Sequence, residues 1–209
     1  MKLNKFFSAV IIIPLSTQGN WKIESYSSIP SNKVSFSQTG LNVKVNKSAS
    51  PIVYSFDKSL KIDRFHIEGE FLSLPVFKDV SKVGSKGFDD YPLRIGFVLT
   101  GNKRLSFVQR TFAPKWIKNL YADLPQNLGL DYVKFYNVTQ NRSQLNQSRI
   151  HPFSEILHEN FFSYVESKGK FSYDVKFEGS KNISGIWISI DGDDSQSDFE
   201  VNINKLELF

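Results

Sequence analysis

The 209 residues are enough for one domain of ordinary size, and a composition of 40% hydrophobic and 14% aromatic residues excludes a disordered chain. Cysteine is absent, which removes disulfides, thiolate zinc sites and a cysteine nucleophile together. The formal charge of +5 is spread along the chain rather than gathered into a basic stripe, so no nucleic-acid partner is expected.

Lys2 and Lys5, the short apolar run Phe6 to Leu15 and the small, polar stretch Ser16 to Gly19 read together as a secretory signal over residues 1–19. That reading leaves a single domain over 20–209 and predicts a periplasmic or secreted protein. The competing reading of the same residues is a buried N-terminal strand over Ala9 to Ile13, which is rich in β-branched side chains. A membrane span needs about 20 apolar residues, and no segment supplies them.

Beyond Trp21 the pattern has a period of two. Val34 and Phe36 alternate with serines, and Leu41, Val43 and Val45 alternate with Asn42 and Lys44, with a tight turn at Thr39-Gly40. Ile52 to Phe56 follows Pro51. Phe65, Ile67 and Phe71 share one face, opposite Arg64, His66, Glu68 and Glu70. Leu93, Ile95, Phe97 and Leu99 repeat the pattern, as do Tyr173, Val175 and Phe177. Such alternation buries one face of a sheet and wets the other.

Ile183 to Ile190 is almost continuously apolar, as a strand buried on both faces should be. After Phe199, Val201 and Ile203 the phase slips to Leu206 and Leu208, which predicts a β-bulge near Asn204-Lys205. Helical signals are few. A short helix over Ser154 to Ser167 competes with an aromatic strand over Phe161 to Val165, and Lys115 to Leu120 suits one helical turn. Thr139 to Arg149, rich in Asn, Gln and Ser, reads as an exposed, mobile loop. The fold class expected is therefore all-β, a β-sandwich or jelly roll with at most one or two short helices.

No catalytic constellation emerges. The Gly-x-Ser-x-Gly elbow, the Walker spacing and the paired-histidine zinc helix are all missing. Glu155, His158 and Glu159 read as a solvated face. Two acidic turns carry more interest. Asp89, Asp90 and Tyr91 precede a strand that begins with Arg94 just inside it, so an Asp can pair with the arginine, bind a cation or cap the turn backbone. Asp191, Asp193 and Ser195 place oxygens at alternate positions, which suits calcium, although the loop lacks the EF-hand Gly and Glu. Trp116, after Pro114, is the best exposed aromatic for stacking on a sugar ring; Trp187, inside an apolar strand, reads as core.

The run Gly87-Phe88-Asp89-Asp90-Tyr91-Pro92-Leu93-Arg94-Ile95, with the later stretch Ile183 to Asp193 and a closing strand, resembles a bacterial family catalogued as domain of unknown function 3047. Phe88 is an extra residue in the first motif, and Arg64-Phe65-His66-Ile67 lacks the tryptophan of the corresponding family strand. The resemblance implies a galactose-binding-like sandwich in an exported protein. Residues and resemblance together lead to the expectation of a non-catalytic binding module for carbohydrate or cell-envelope polymer, with Asp89, Asp90, Tyr91, Arg94 and Trp116 at the ligand. The alternatives are a structural or protein-interaction domain, and a hydrolase, which needs facing carboxylates about 5 to 9 Å apart.

Overall fold

The computed structural model of the chain describes residues 10–152 and 154–209. Lys2, Lys5 and the first part of the expected leader lie outside the described residues. The second part does not: Ile11–Ile12 forms β1, antiparallel to the last strand with Ile11 opposite Leu208, and Ile13 and Leu15 are buried in the core. Trp21–Ile23 is β2, and the Trp21 indole N–H donates to the Pro14 carbonyl at 2.7 Å, which ties this N-terminal segment down.

Lys33–Ser37 (β3) and Gly40–Asn46 (β4) form the expected hairpin, and the Thr39-Gly40 turn uses a glycine at φ 112°. The alternating patterns near Ile52 and Phe65 belong to one strand, β5, Ile52–Phe71. Leu93–Gly101 is β6. Two helices follow, α1 (Phe107–Phe112) and α2 (Lys115–Ala122). Ser106 and Gln109 close a reciprocal capping box on α1, and Pro114 precedes α2, which realises the helical turn expected there. Gly129–Thr139 is β7.

Thr139 to Arg149 is largely exposed, as expected, but it is tied down rather than free. A short 3-10 turn, Arg142–Gln144, leads into β8, Ser148–His151, and Gln144 donates to the Val83 carbonyl at 2.7 Å. Asn141 and Gln147, which suggest a loop by composition, likewise bond the Ser81 and Ser143 carbonyls. Ser154–Tyr164 is β9, so the strand reading prevails over the helix, because Phe161 and its neighbours find partners across a sheet. The chain ends with β10, Gly169–Ser189, and β11, Asp198–Leu208. The register shift between Ile203 and Lys205 is the bulge that the change of phase predicts.

The pairing order β3-β4-β11-β5-β10-β6-β7-β9-β8 makes one hydrogen-bonded sheet, and the two long strands fold it over. The C-terminal half of β5 and the N-terminal half of β10 lie with β11 and β4; their other halves lie with β6 and β7. Register shifts between Lys176 and Lys181 and between Ile183 and Gly185 mark where the ribbon changes layer. The two layers meet face to face around Phe65, whose ring lies 4.9 Å from Phe97 and 5.3 Å from Tyr136. The result is the expected all-β sandwich. Two of its strands, β5 and β10, are long enough to serve both layers.

A second, smaller cluster lies on the far side of the β6–β7–β10 layer. Val98, Val133, Phe135 and Trp187 point away from the main core, and α2 covers part of them with Leu120, Trp116 and Tyr121. The part left uncovered is where the pocket forms. No helix among the described residues is long and apolar enough to cross a membrane.

Candidate functional site

The floor of the pocket follows from strand register. Gly96 pairs with Trp187 on one side and Phe135 on the other, and the next rung is Ser189, Arg94 and Asn137. Gly96 has no side chain, so the two flanking rings meet over it, 5.4 Å apart and at 73° to each other. A Cβ at Gly96 would fall 2.6 Å from the Phe135 ring. Trp116, from α2, packs edge-on against Trp187 at 5.4 Å. With Tyr26, Ile29 and Leu157 these rings line an open pocket of about 340 Å³.

The two acidic turns form the polar wall. Asp89, Asp90, Arg94, Asp191, Asp193 and Asp194 all line the pocket, joined by His151. The turns brace each other. The Asp89 amide donates to Asp194 at 2.9 Å, and the amides of Asp194 and Ser195 donate to the two oxygens of Asp90 at 3.3 and 2.5 Å. Each aspartate thus caps the opposite loop rather than its own turn.

Arg94 is the hub. Its guanidinium reaches Asp191 at 2.6 Å, the Asp89 carbonyl at 2.8 Å and the Asp89 carboxylate at 3.4 Å, and lies over the Tyr91 ring. Burial disfavours its charge, but Asp191, Asp89 and Glu159 more than compensate and raise its pKa further. Behind it, the buried Glu159 accepts from Arg149 at 2.6 Å and from Asn137 at 2.7 Å. Asp89 also takes Arg149 at 3.2 Å and lies 2.9 Å from His151. Burial opposes its ionisation, yet Arg94, His151 and Arg149 together hold its pKa below the ordinary value.

Several sequence expectations change here. Tyr91 is fully buried against Phe161 and Val83, so it supports Arg94 from beneath and cannot stack on a ligand. Glu159 belongs to a buried strand position instead of a solvated face, while His158 stacks on Tyr132 at 4.1 Å. Two of the three residues proposed for calcium, Asp191 and Ser195, are engaged within the fold. Arg94 and the Ser189 hydroxyl take the Asp191 carboxylate, and Ser195 offers its backbone amide to Asp90. Asp89, His151 and Glu159 do present ligand atoms within 4.8 Å of one another, but Arg94 and Arg149 already occupy those carboxylates. A divalent ion there would face two guanidinium groups.

Asp89, Asp90 and Arg94 line one pocket with Trp116 from a separate segment, and Asp191 and Asp193 join them. Trp187 is buried, as expected, but its ring also forms pocket wall. Tyr26, Phe135 and His151 carried no signal that singled them out. Phe135 looks like any strand aromatic until Gly96 is placed beside it.

Burial, reinforced by Asp191, Asp90 and Asp194, raises the pKa of Asp193 from 3.8 to about 7. Burial also raises Asp90 to about 6, against the pull of the Ser195 bonds. The pocket therefore holds two carboxyl groups that gain or lose a proton near neutrality.

No family model matches the chain, and no curated protein matches it in sequence. Among solved structures it is similar to the xylan-binding module CBM15 at 8% identity and a TM-score of 0.38, over 96% of this chain and 95% of that one. The Emp47p carbohydrate recognition domain aligns at 14% identity and 0.40, over 95% and 94%. The mannan-recognising module TmCBM27 aligns at 11% and 0.31, over 96% and 98%.

Proposed function

We propose that the chain is a non-catalytic carbohydrate-binding module, exported to the periplasm or beyond, whose ligand is a glycan or cell-envelope polymer. One observation carries this reading: a pocket of about 340 Å³ sets the rings of Trp116, Trp187, Tyr26 and Phe135 against a wall of carboxylates and one arginine. Sugar rings present apolar C–H faces, which stack on aromatic rings, and hydroxyls at their edges, which hydrogen-bond to carboxylates and guanidinium. The two sequence runs that resemble the family of unknown function 3047 both contribute to the lining of this pocket, and membership in that family is part of the same proposal. Export rests on Lys2, Lys5 and the apolar run after them.

A glycan array probed with the full chain, with calcium and with chelator, tests the binding. Selective binding that Trp116→Ala weakens at least about tenfold, equivalent to about 1.4 kcal/mol, supports the module. Absence of binding to any glycan defeats it. Release of reducing ends from a bound glycan would replace the non-catalytic reading with a hydrolase. N-terminal sequencing of the protein recovered from cell fractions tests export and any processing.

A second reading, a protein-interaction domain, has one observation of its own. Val108 and Phe112, four residues apart on one face of α1, are 63% and 82% exposed, and Phe107 at the start of the helix is 86% exposed. Single exposed apolar residues are ordinary, but three on one short helix form a surface that association would cover. Phe107→Ser with Phe112→Ser should abolish any self-association seen by light scattering; monomeric behaviour of the parent chain at high concentration removes that support.

A further inference from the structure

We infer that the pocket selects a sugar carrying a protonated amine, an amino sugar or an oligomer of one, over neutral and acidic sugars. This rests on the carbohydrate reading of the same pocket and names its ligand class.

Most charges at the site already have partners. Asp89 is answered by Arg94, Arg149 and His151, Glu159 by Arg149, and Asp191 by Arg94. That uses every arginine at the site. Asp90 is held by two backbone amides and no cation, and Asp193 has no cationic partner and no side-chain donor among the described residues. The pocket wall therefore carries two carboxylates without a counter-charge, beside aromatic rings that exclude water. Burial without a counter-charge is costly, and a ligand cation removes that cost.

The shape of the site decides which cation. A hard metal ion takes six to eight oxygens at once, whereas the walls facing Asp90 and Asp193 include Trp116, Trp187, Phe135 and Leu157. Tryptophan faces attract organic ammonium groups and stack on sugar rings. The complement of this wall is thus an ammonium group for the carboxylates and a ring to stack on the aromatic side chains. An amino sugar has both. A uronic acid would instead bring its carboxylate against five aspartates.

Titration calorimetry and tryptophan fluorescence with three probes test the inference on the full chain at neutral pH. The probes are glucosamine trisaccharide, its N-acetylated counterpart and a uronic acid trisaccharide. Glucosamine trisaccharide should bind at least about tenfold tighter than the N-acetylated form, with a preference that shrinks as salt is added. Asp193→Asn, nearly isosteric, should collapse the ratio between the two, and thermal melts of the variant establish that it is folded.

Equal or tighter binding of the N-acetylated or acidic probe overturns the amine inference while leaving the carbohydrate reading standing. So does a ratio unchanged in folded Asp193→Asn. Failure of all three probes together with failure of the glycan array overturns both. Calcium binding that the glucosamine probe does not displace overturns the choice of an organic cation.

Discussion

Replacing Asp193 by Asn should make the protein more stable at high pH and leave it unchanged at low pH. The sign follows from the raised pKa. Burial lifts Asp193 from 3.8 to about 7, so the folded chain holds this proton more tightly than the unfolded chain does. The stabilisation linked to that proton is complete below 3.8 and is lost as pH rises through about 7. At 1.36 kcal/mol per pH unit the full span would amount to about 4 kcal/mol. Asp193 is only partly buried, and solvent screening reduces the effect to about 1–2 kcal/mol. Asn keeps the shape and removes the charge, so it avoids the cost of ionisation. Urea unfolding of both proteins at about pH 5 and about pH 8.5 measures the difference, provided the denaturant slope is unchanged. The expected gain for the variant is about 1–2 kcal/mol at the higher pH and roughly a third of that at the lower, because pH 5 already lies above 3.8. Equal stabilities at both values, or a less stable variant at high pH, would show that the ionised carboxylate has a compensating cation in the fold. A gain in stability accompanied by a loss of binding is the usual signature of a binding group held at a cost.

Gly96→Ala should cost about 1–3 kcal/mol, because its Cβ would lie 2.6 Å from the Phe135 ring and force the pocket floor apart; thermal unfolding reads the stability, and glycan affinity should fall with it. Glu159→Gln removes the carboxylate that joins Arg149 to Asn137 and should cost about 3 kcal/mol, since a partner of a buried ion pair is left uncompensated; a midpoint unchanged in urea would contradict the network. Deleting residues 1–19 removes buried Ile13 and Leu15 and uncovers the edge of β11, for a loss of about 3–6 kcal/mol at 1.5–3 kcal/mol per buried side chain. Melting curves of the 1–209 and 20–209 chains compare them directly, and equal stability would mean that β1 contributes little to the sandwich.

Much of the fold was legible in the residues themselves. Period-two alternation at Val34–Val45, Phe65–Phe71 and Leu93–Leu99 follows from the geometry of a pleated strand with one wet face, which needs no knowledge of what lies opposite. The slip after Ile203 marks the bulge for the same reason. The pairing of Asp89 with Arg94 was visible as well, because five residues across the start of a strand leave the two within reach. What composition could not disclose was the fate of polar residues with distant partners. Thr139 to Arg149 looks like a loop, yet Arg149 reaches Glu159 and Asp89, and Gln144 reaches Val83.

The same limit applies to the site. The alternation of apolar residues on β6 and β10 determined that each strand has two faces. Only register decided that Gly96 falls between Trp187 and Phe135, so that a missing side chain on one strand becomes a ring-lined floor built from three. Only the folding of the β5–β10 ribbon brought Asp90 to the backbone of Ser195, 105 residues away. Tyr91 shows the converse: its neighbours in sequence mark it as a ligand contact, and the tertiary structure buries it under Arg94. Local geometry is written into each segment by its own periodicity. A binding pocket is a property of side chains from separate segments, and its charge and shape come into being only when those segments meet.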